Sequence, residues 1–479
     1  MNSAHSQVSM HRIADVLGSV RKKGVRLWSQ NGQLHYRAPK GVLTQEEIER
    51  LRVSSEQIVA FLERATGAEI AEPTVEPRRR LDRAPLTFSQ LSRWHLLQTG
   101  EVPNLRQVAS ATRLRGRLNI DALRKSIAEI VRRHDALRTR IVVSDGIPVQ
   151  EIAESGDCEL EVDDLTVVPE SSREAEVKRL IEQLILEPID IAVGPLLGVR
   201  LLKIRDDEHV LVVAMEHMIS DGFSLNILAR DILVAYMQAS RGCAFSLPAI
   251  PVQFADYAVW QRSAQKSWIE SHGAHWNERL AGCQRLRFPE HRSMQTATRL
   301  GRGAIPIQIG RDLKAELREW CRLKRTTLVM SVFTAYVGLV LRWCNASEAV
   351  IQYQSDCRFS SKIEDTIGYF SSTLHLRMAL LEDDSFVDLM NRATEEYCKA
   401  CEHADFSCIE AQVPRPEFTR NTVFNWVPQG YRVDLSALEG SDDAITCSPV
   451  SFTHPMLKKL ELDYEPTILL YDRDDEIRF

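Results

Sequence analysis

The sequence predicts an α/β protein of two lobes behind a small N-terminal αββαα module, on three observations. His209 to Met215, HVLVVAM, is an apolar run entered from the acidic turn Asp206-Asp207-Glu208, and from Ser224 the apolar positions Leu225, Leu228, Ile232 and Tyr236 recur at helical spacing. The same grammar returns later in GAIPIQI, a helix carrying Leu313, Leu317 and Trp320, an apolar helix from Thr327 to Leu341, and AVIQYQ. Ahead of both, VRLWSQNGQLHYRAP alternates on either side of Asn31-Gly32, a pair suited to a two-residue hairpin turn.

In order, residues 1–67 read as the small module. Met10, Ile13, Val16, Leu17 and Val20 line a helix closed by Lys22-Lys23-Gly24; the hairpin follows, and Thr44 with Glu47 and Ser54 with Gln57 fit capping boxes of two further helices. Between Val16 and Gln45 there is no acid, while Arg21, Lys22, Lys23, Arg26, Arg37 and Lys40 are basic, which suits capture of an acidic peptide by sheet addition. A solvated basic face and nucleic-acid binding are the competing readings of that charge. Residues 68–84, AEIAEPTVEPRRRLDRA, read as a linker.

Residues 85–262 read as the first lobe. Asn119 caps a helix with the stripe Leu123, Ile127, Ile130 and Val131, and Asp145-Gly146 turns a hairpin. PLLGVRLLKI and HVLVVAM supply further strands. Residues 263–479 form the second lobe.

Composition bounds the function. With 479 residues, 44% hydrophobic and 26% charged, the chain is ordinary globular material, and a net charge of −6 gives no reason to expect nucleic-acid binding by the whole protein. The first residues lack an uninterrupted apolar core and no run approaches a bilayer span, so the expectation is a cytoplasmic protein without membrane contact. Ten scattered cysteines fit reduced thiols. Cys398, Cys401, His403 and Cys408 cluster without a second CxxC, so no metal site is expected.

Several motifs carry a resemblance. Residues 12–51 resemble the small N-terminal, tubulysin-type docking domains found at the starts of synthetase subunits. Glu216-His217-Met218-Ile219-Ser220-Asp221-Gly222 resembles the HHxxxDG motif of nonribosomal peptide synthetase condensation domains, with Glu216 in place of the first His. Gln90 and Trp94 match S-x-A-Q-x-R-L-W, Arg133-His134-Asp135-Ala136-Leu137-Arg138-Thr139 resembles RHExLRT, Phe254 to Gln261 resembles Y-x-D-Y-A-x-W-Q, and Ile367 to Thr373 resembles I-G-x-F-V-N-T.

The resemblance implies two chloramphenicol-acetyltransferase-like lobes in a V with His217 in the tunnel between them. It also implies joining of an acyl or peptidyl thioester on one carrier protein to an amine on another. No cofactor would be bound, the substrates riding on phosphopantetheine arms, and the partners would be donor and acceptor carrier proteins and the C-terminal tail of an upstream subunit. His217 would position the amine or accept its proton. Asp221 would sit in a structural ion pair, with Arg138 as its expected partner, and Gly222 would let the backbone pass close to the substrate arm. Glu216 would point away from the site, since neighbouring strand residues face opposite ways. The chain ends at Asp474-Asp475-Glu476-Ile477-Arg478-Phe479 without the family's usual closing strand and helix, so the second lobe is expected to be truncated or differently closed. A free-standing coenzyme A-dependent acyltransferase and a catalytically silent recruitment module are the alternatives.

Overall fold

The computed structural model describes residues 26–30, 33–37, 51, 52, 55, 75, 81–99, 107–156, 158–187, 189–289, 305, 307–324, 326–358, 362–403, 422–427, 445–450, 467–472 and 476–478. The chain divides into two compact units, Met1–Thr74 with Gly310–Tyr336, and Val75–Ile309 with Val337–Phe479.

In the first unit β1 (Arg26–Gln30) and β2 (Gln33–Arg37) pair antiparallel with Gln30 opposite Gln33, leaving the two-residue connection that Asn31-Gly32 predicts. Arg26 and Arg37 are register partners. Arg21, Lys22, Lys23 and Lys40, the first helix and both capping boxes lie outside the described residues.

The second unit opens with β3 (Arg83–Pro85), α1 (Phe88–Thr99), β4 (Gln107–Arg115) and α2 (Ile120–Arg133). The hairpin β5 (Thr139–Ser144) and β6 (Ile147–Ile152) turns on Asp145 and Gly146, both at positive φ (51° and 79°). Then come β7 (Leu160–Asp164), α3 (Glu170–Leu186), β8 (Leu197–Arg205), β9 (Glu208–Glu216) and α4 (Gly222–Ser240). Four strands line up as β4-β9-β8-β7. Alternate residues of β9 serve opposite cores: Val210 and Val212 pack with Val177 and Ile181 of α3, whereas Val213 and Met215 pack with Ile127 of α2 and Leu228 of α4. Helices therefore cover both faces, and the run HVLVVAM is unbroken because neither parity meets water. Asn119 accepts the Ala122 N–H at 3.0 Å and caps α2.

The reading of 68–84 as a linker is corrected at its end. Val75 is fully buried in the core of α2 and α4, and β3 pairs with β6, so apolar burial fixes Val75 and strand hydrogen bonds fix Arg83–Pro85. The boundary at 262/263 falls inside α5 (Phe254–Leu280), which runs through it unbroken. Its start, Phe254 and Tyr257, belongs to the core of the first lobe, while Trp276 near its end donates to the His403 carbonyl at 3.0 Å.

Onward in the chain lie β10 (Gln308–Ile309), then α6 (Arg311–Lys324) and the start of α7 (Leu328–Trp343), which belong to the first unit, and after them β11 (Glu348–Ser355), β12 (Ser372–Ala379), α8 (Phe386–Glu402), β13 (Val423–Val427), β14 (Thr446–Pro449), β15 (Thr467–Asp472) and β16 (Ile477–Arg478). Among the described residues the strand expected over 303–309 is confined to β10. The second sheet runs β10-β16-β15-β13-β11-β12. β15 and β16 link β13 to β10. β14 joins the first lobe instead, pairing antiparallel with β4. The segment 362–371 also crosses over: Ile363, Ile367 and Phe370 are buried in the first lobe's core, and Thr366 donates to the Val252 carbonyl at 2.6 Å.

Candidate active site

The site is built where β9 stops. Glu216 is its last residue, and the chain turns at once: the Ile219 N–H (3.1 Å) and the Ser220 hydroxyl (2.9 Å) both donate to the Glu216 carbonyl. Asp221 then caps α4, its Oδ1 accepting the Ser224 N–H at 2.8 Å in a reciprocal capping box. His217 is thus carried on a four-residue turn anchored at both ends.

Asp221 is 2% exposed and does more than cap. Arg358 Nη2 reaches its two oxygens at 3.2 and 3.4 Å, and the Phe370 N–H donates to Oδ2 at 3.2 Å. Arg358 is itself fixed: Nη1 donates to the Ile363 (2.9 Å) and Thr366 (2.7 Å) carbonyls, and the guanidinium lies 4.3 Å from the centre of the Phe370 ring. The Ser224 hydroxyl lies 3.0 Å from the Gly368 carbonyl and receives the Gly368 N–H at 3.2 Å. These hydrogen bonds and the ring contact tie the His217 loop to the 362–371 segment.

Arg138 is not the partner of Asp221. It follows α2 directly, on a short 3₁₀ turn, and reaches back to the Val131 carbonyl (3.1 Å), the Arg132 carbonyl (3.3 Å) and the Asp135 carboxylate, three residues before it. An arginine just past a helix C-terminus finds the helix's open carbonyls first.

His217 is half-buried and packs edge-on against Tyr369, with ring centres 4.7 Å apart. Burial, followed by the nearby Arg93 guanidinium, pushes its pKa down to about 4, so the imidazole is neutral near neutral pH. Tyr369 also lines a cavity with Ser89, Tyr257, Cys357 and Ser372. A Cβ on Gly222 would meet no protein atom within 4 Å, whereas one on Gly368 would lie 2.2 Å from the Phe254 ring. Gly222 thus faces open space, and Gly368 is required by packing.

Glu216 is fully buried, and its carboxylate lies 3.8 Å from Arg93 on α1. It is turned from solvent, yet its partner's charge also reaches His217. Arg93 and Arg358 are the residues that motif reading missed. Arg358 sits 137 positions from Asp221. For Arg93 a signal existed: it replaces a leucine of the first motif just as Glu216 replaces a histidine of the third.

Elsewhere, Cys398 and Cys401 are exposed at the end of α8, and His403 turns to His272, Nδ1 to Nδ1 at 2.7 Å. Cys408 lies outside the described residues, and among those described no group of three or more His, Cys, Asp or Glu is placed to hold a metal ion. Nor, among them, is any single helix long and apolar enough to cross a membrane.

Comparison with known proteins bears on this geometry. The chain is 32% identical over 347 residues to one of the linear gramicidin synthase proteins of Brevibacillus parabrevis, covering 72% of this chain and 7% of that one. It is 31% identical over 349 residues to the phosphinothricin tripeptide synthetase PhsC of Streptomyces viridochromogenes, covering 71% of this chain and 32% of that one. It therefore spans a small part of each relative's length. Among solved structures, the cyclization-docking bidomain from Sorangium cellulosum superposes with a TM-score of 0.65 at 20% identity, covering 97% of this chain and 91% of that one. An X-domain from teicoplanin biosynthesis, solved in complex with OxyB, gives 0.66 at 22% identity over 85% and 90%. Residues 13–64 match the TubC N-terminal docking domain, and residues 80–427 match the Condensation domain, so the chain belongs to the condensation-domain family.

Proposed function

We propose that this protein condenses an acyl or peptidyl thioester with an amine, both delivered on phosphopantetheine arms of carrier proteins, and that His217 orients the amine. The observation that carries the reading is a neutral imidazole on a turn fixed by Asp221, beside the cavity-lining Tyr369. Magnitudes decide the role. An α-amine has a pKa of about 8, so an imidazole near 4 would face a gap of about four orders of magnitude in taking a proton from the ammonium form. The amine must arrive neutral, and His217 then accepts a hydrogen bond from it, aiming the lone pair at the thioester carbonyl. As the C–N bond forms the nitrogen's proton becomes more acidic, and when the tetrahedral adduct collapses the C–S bond breaks, so that this proton, relayed by the imidazole, ends on the departing phosphopantetheine thiol and leaves the amide. Gly222 leaves room for the arm, and the N-terminal segment binds the acidic C-terminal tail of an upstream subunit.

A second reading, a recruitment module without chemistry, is favoured by the charge of Glu216 in the motif. Intact mass spectrometry separates the two. Acyl-loaded donor carrier and aminoacyl-loaded acceptor carrier are mixed with the protein, and the acceptor should gain the acyl mass. Transfer from acyl coenzyme A in place of the donor carrier would point to the free-standing acyltransferase, and no transfer from either donor leaves the recruitment module.

A further inference from the structure

Helix α1 is fastened to the His217 turn. Gln90 Nε2 donates to the Met218 carbonyl at 2.8 Å, and Leu91, Trp94 and Leu97 pack on the cluster of Leu86, Ile141 and Met218. Three residues after Gln90, and so on the same helical face, Arg93 faces Glu216 at 3.8 Å, with side chains 13% and 0% exposed. Each charge would be costly there alone, because a buried ion without its partner keeps its desolvation penalty and loses its compensation. Both positions depart from the motifs this chain otherwise resembles, and the departures have opposite sign. We propose that Arg93 and Glu216 act as one coupled positioning pair for His217, the arginine setting the field at the imidazole and the carboxylate compensating the arginine.

This inference rests on the condensation reading for its meaning, but its test does not. Among the described residues, the charges that act on His217 are Arg93 from α1 and Asp221 from its own turn, with Glu216 next to it in the chain and paired to Arg93, and the Tyr369 ring from the 362–371 segment packs on it; Asp221 is already matched by Arg358. Removing Arg93 takes away the positive charge that acts on the ring, so His217 should protonate more readily. Removing Glu216 should do the reverse.

The experiment is a titration of the His217 ring by NMR in the full chain, its signal identified by its loss in His217→Ala. Arg93→Leu should raise the midpoint by about one pH unit or more, Arg93→Lys should hold it near the wild-type value, and Arg93→Leu/Glu216→Gln should return it most of the way. Where condensation is measurable, the acid limb of kcat/KM should move with the midpoint. A midpoint unmoved in folded Arg93→Leu, or a double variant no closer to wild type than Arg93→Leu, would overturn the proposal and leave an ordinary structural ion pair. Should Arg93→Leu not fold, Arg93→Lys and Glu216→Gln still decide: the pair requires the first to keep the midpoint and the second to lower it. Because the titration needs no turnover, loss of the condensation reading and loss of the coupled pair give different results.

Discussion

Asp221 and Glu216 flank the same histidine, and each is a buried carboxylate opposite an arginine, yet their surroundings differ. Asp221 is wrapped: Arg358 touches both oxygens, and two backbone N–H groups and the Ser224 hydroxyl complete the shell. Glu216 meets Arg93 at 3.8 Å, beyond hydrogen-bond distance, on a helix whose charge extends to His217. The first carboxylate holds two parts of the fold together, and the second pairs with the arginine whose charge reaches His217, the residue proposed to orient the amine. A motif places both within six residues and says nothing of this division.

The sharpest way to break the comparison is Asp221→Ala. It strands Arg358, uncaps α4 and releases the 362–371 segment, so stability should fall by about 3–5 kcal/mol in urea titrations. Arg358→Ala should cost a similar amount, and the double variant less than the sum. Unchanged stability with lost activity in Asp221→Ala would place Asp221 in the reaction instead.

Glu216→Gln should cost less, about 1–3 kcal/mol, because Arg93 stands farther from its carboxylate than Arg358 does from Asp221. A glycine pair sharpens the contrast between fold and site. Gly368→Ala drives a Cβ into Phe254 and should destabilise by about 1–3 kcal/mol. Gly222→Ala should fold as wild type yet raise KM for the carrier-borne substrates, since only a substrate arm would meet the new methyl. Equal melting temperatures for the two alanine variants would undo that distinction.

The acid response of stability isolates His217 itself. A histidine whose folded pKa lies near 4 rather than 6.5 contributes stability above its unfolded pKa, and that contribution is lost as pH falls from about 6.5 towards about 4. His217→Ala should therefore lose less stability over that window than wild type does. His134 and His375, also held low by burial, act in both proteins and cancel in the comparison. Parallel curves would mean that His217 titrates normally.

Much of this was legible from local pattern. The run HVLVVAM, the helix from Ser224, the strand pairing on either side of Asn31-Gly32 and the turn at Asp145-Gly146 depend on neighbours in sequence, and the structure has them. Partners across the chain were not legible. Arg138 was the nearer motif arginine to Asp221 in the sequence, but the α2 carbonyls and Asp135 hold it, and Arg358 arrives only because 362–371 is folded into the first lobe. Val75 sits in a stretch of prolines and charges that conceals one anchoring apolar side chain. Alternation along β9 separates Glu216 from His217 by direction, but electrostatics reaches past direction through Arg93.

The most direct test of the central claim is the transfer rate between loaded carrier proteins for His217→Ala against wild type, with folding followed by circular dichroism. The account predicts a variant that folds and melts as wild type at neutral pH but transfers about 10²–10⁴-fold more slowly, the scale for losing a positioned acid–base group. Transfer at the wild-type rate by folded His217→Ala would contradict it, and the orienting role would then have to lie with another residue.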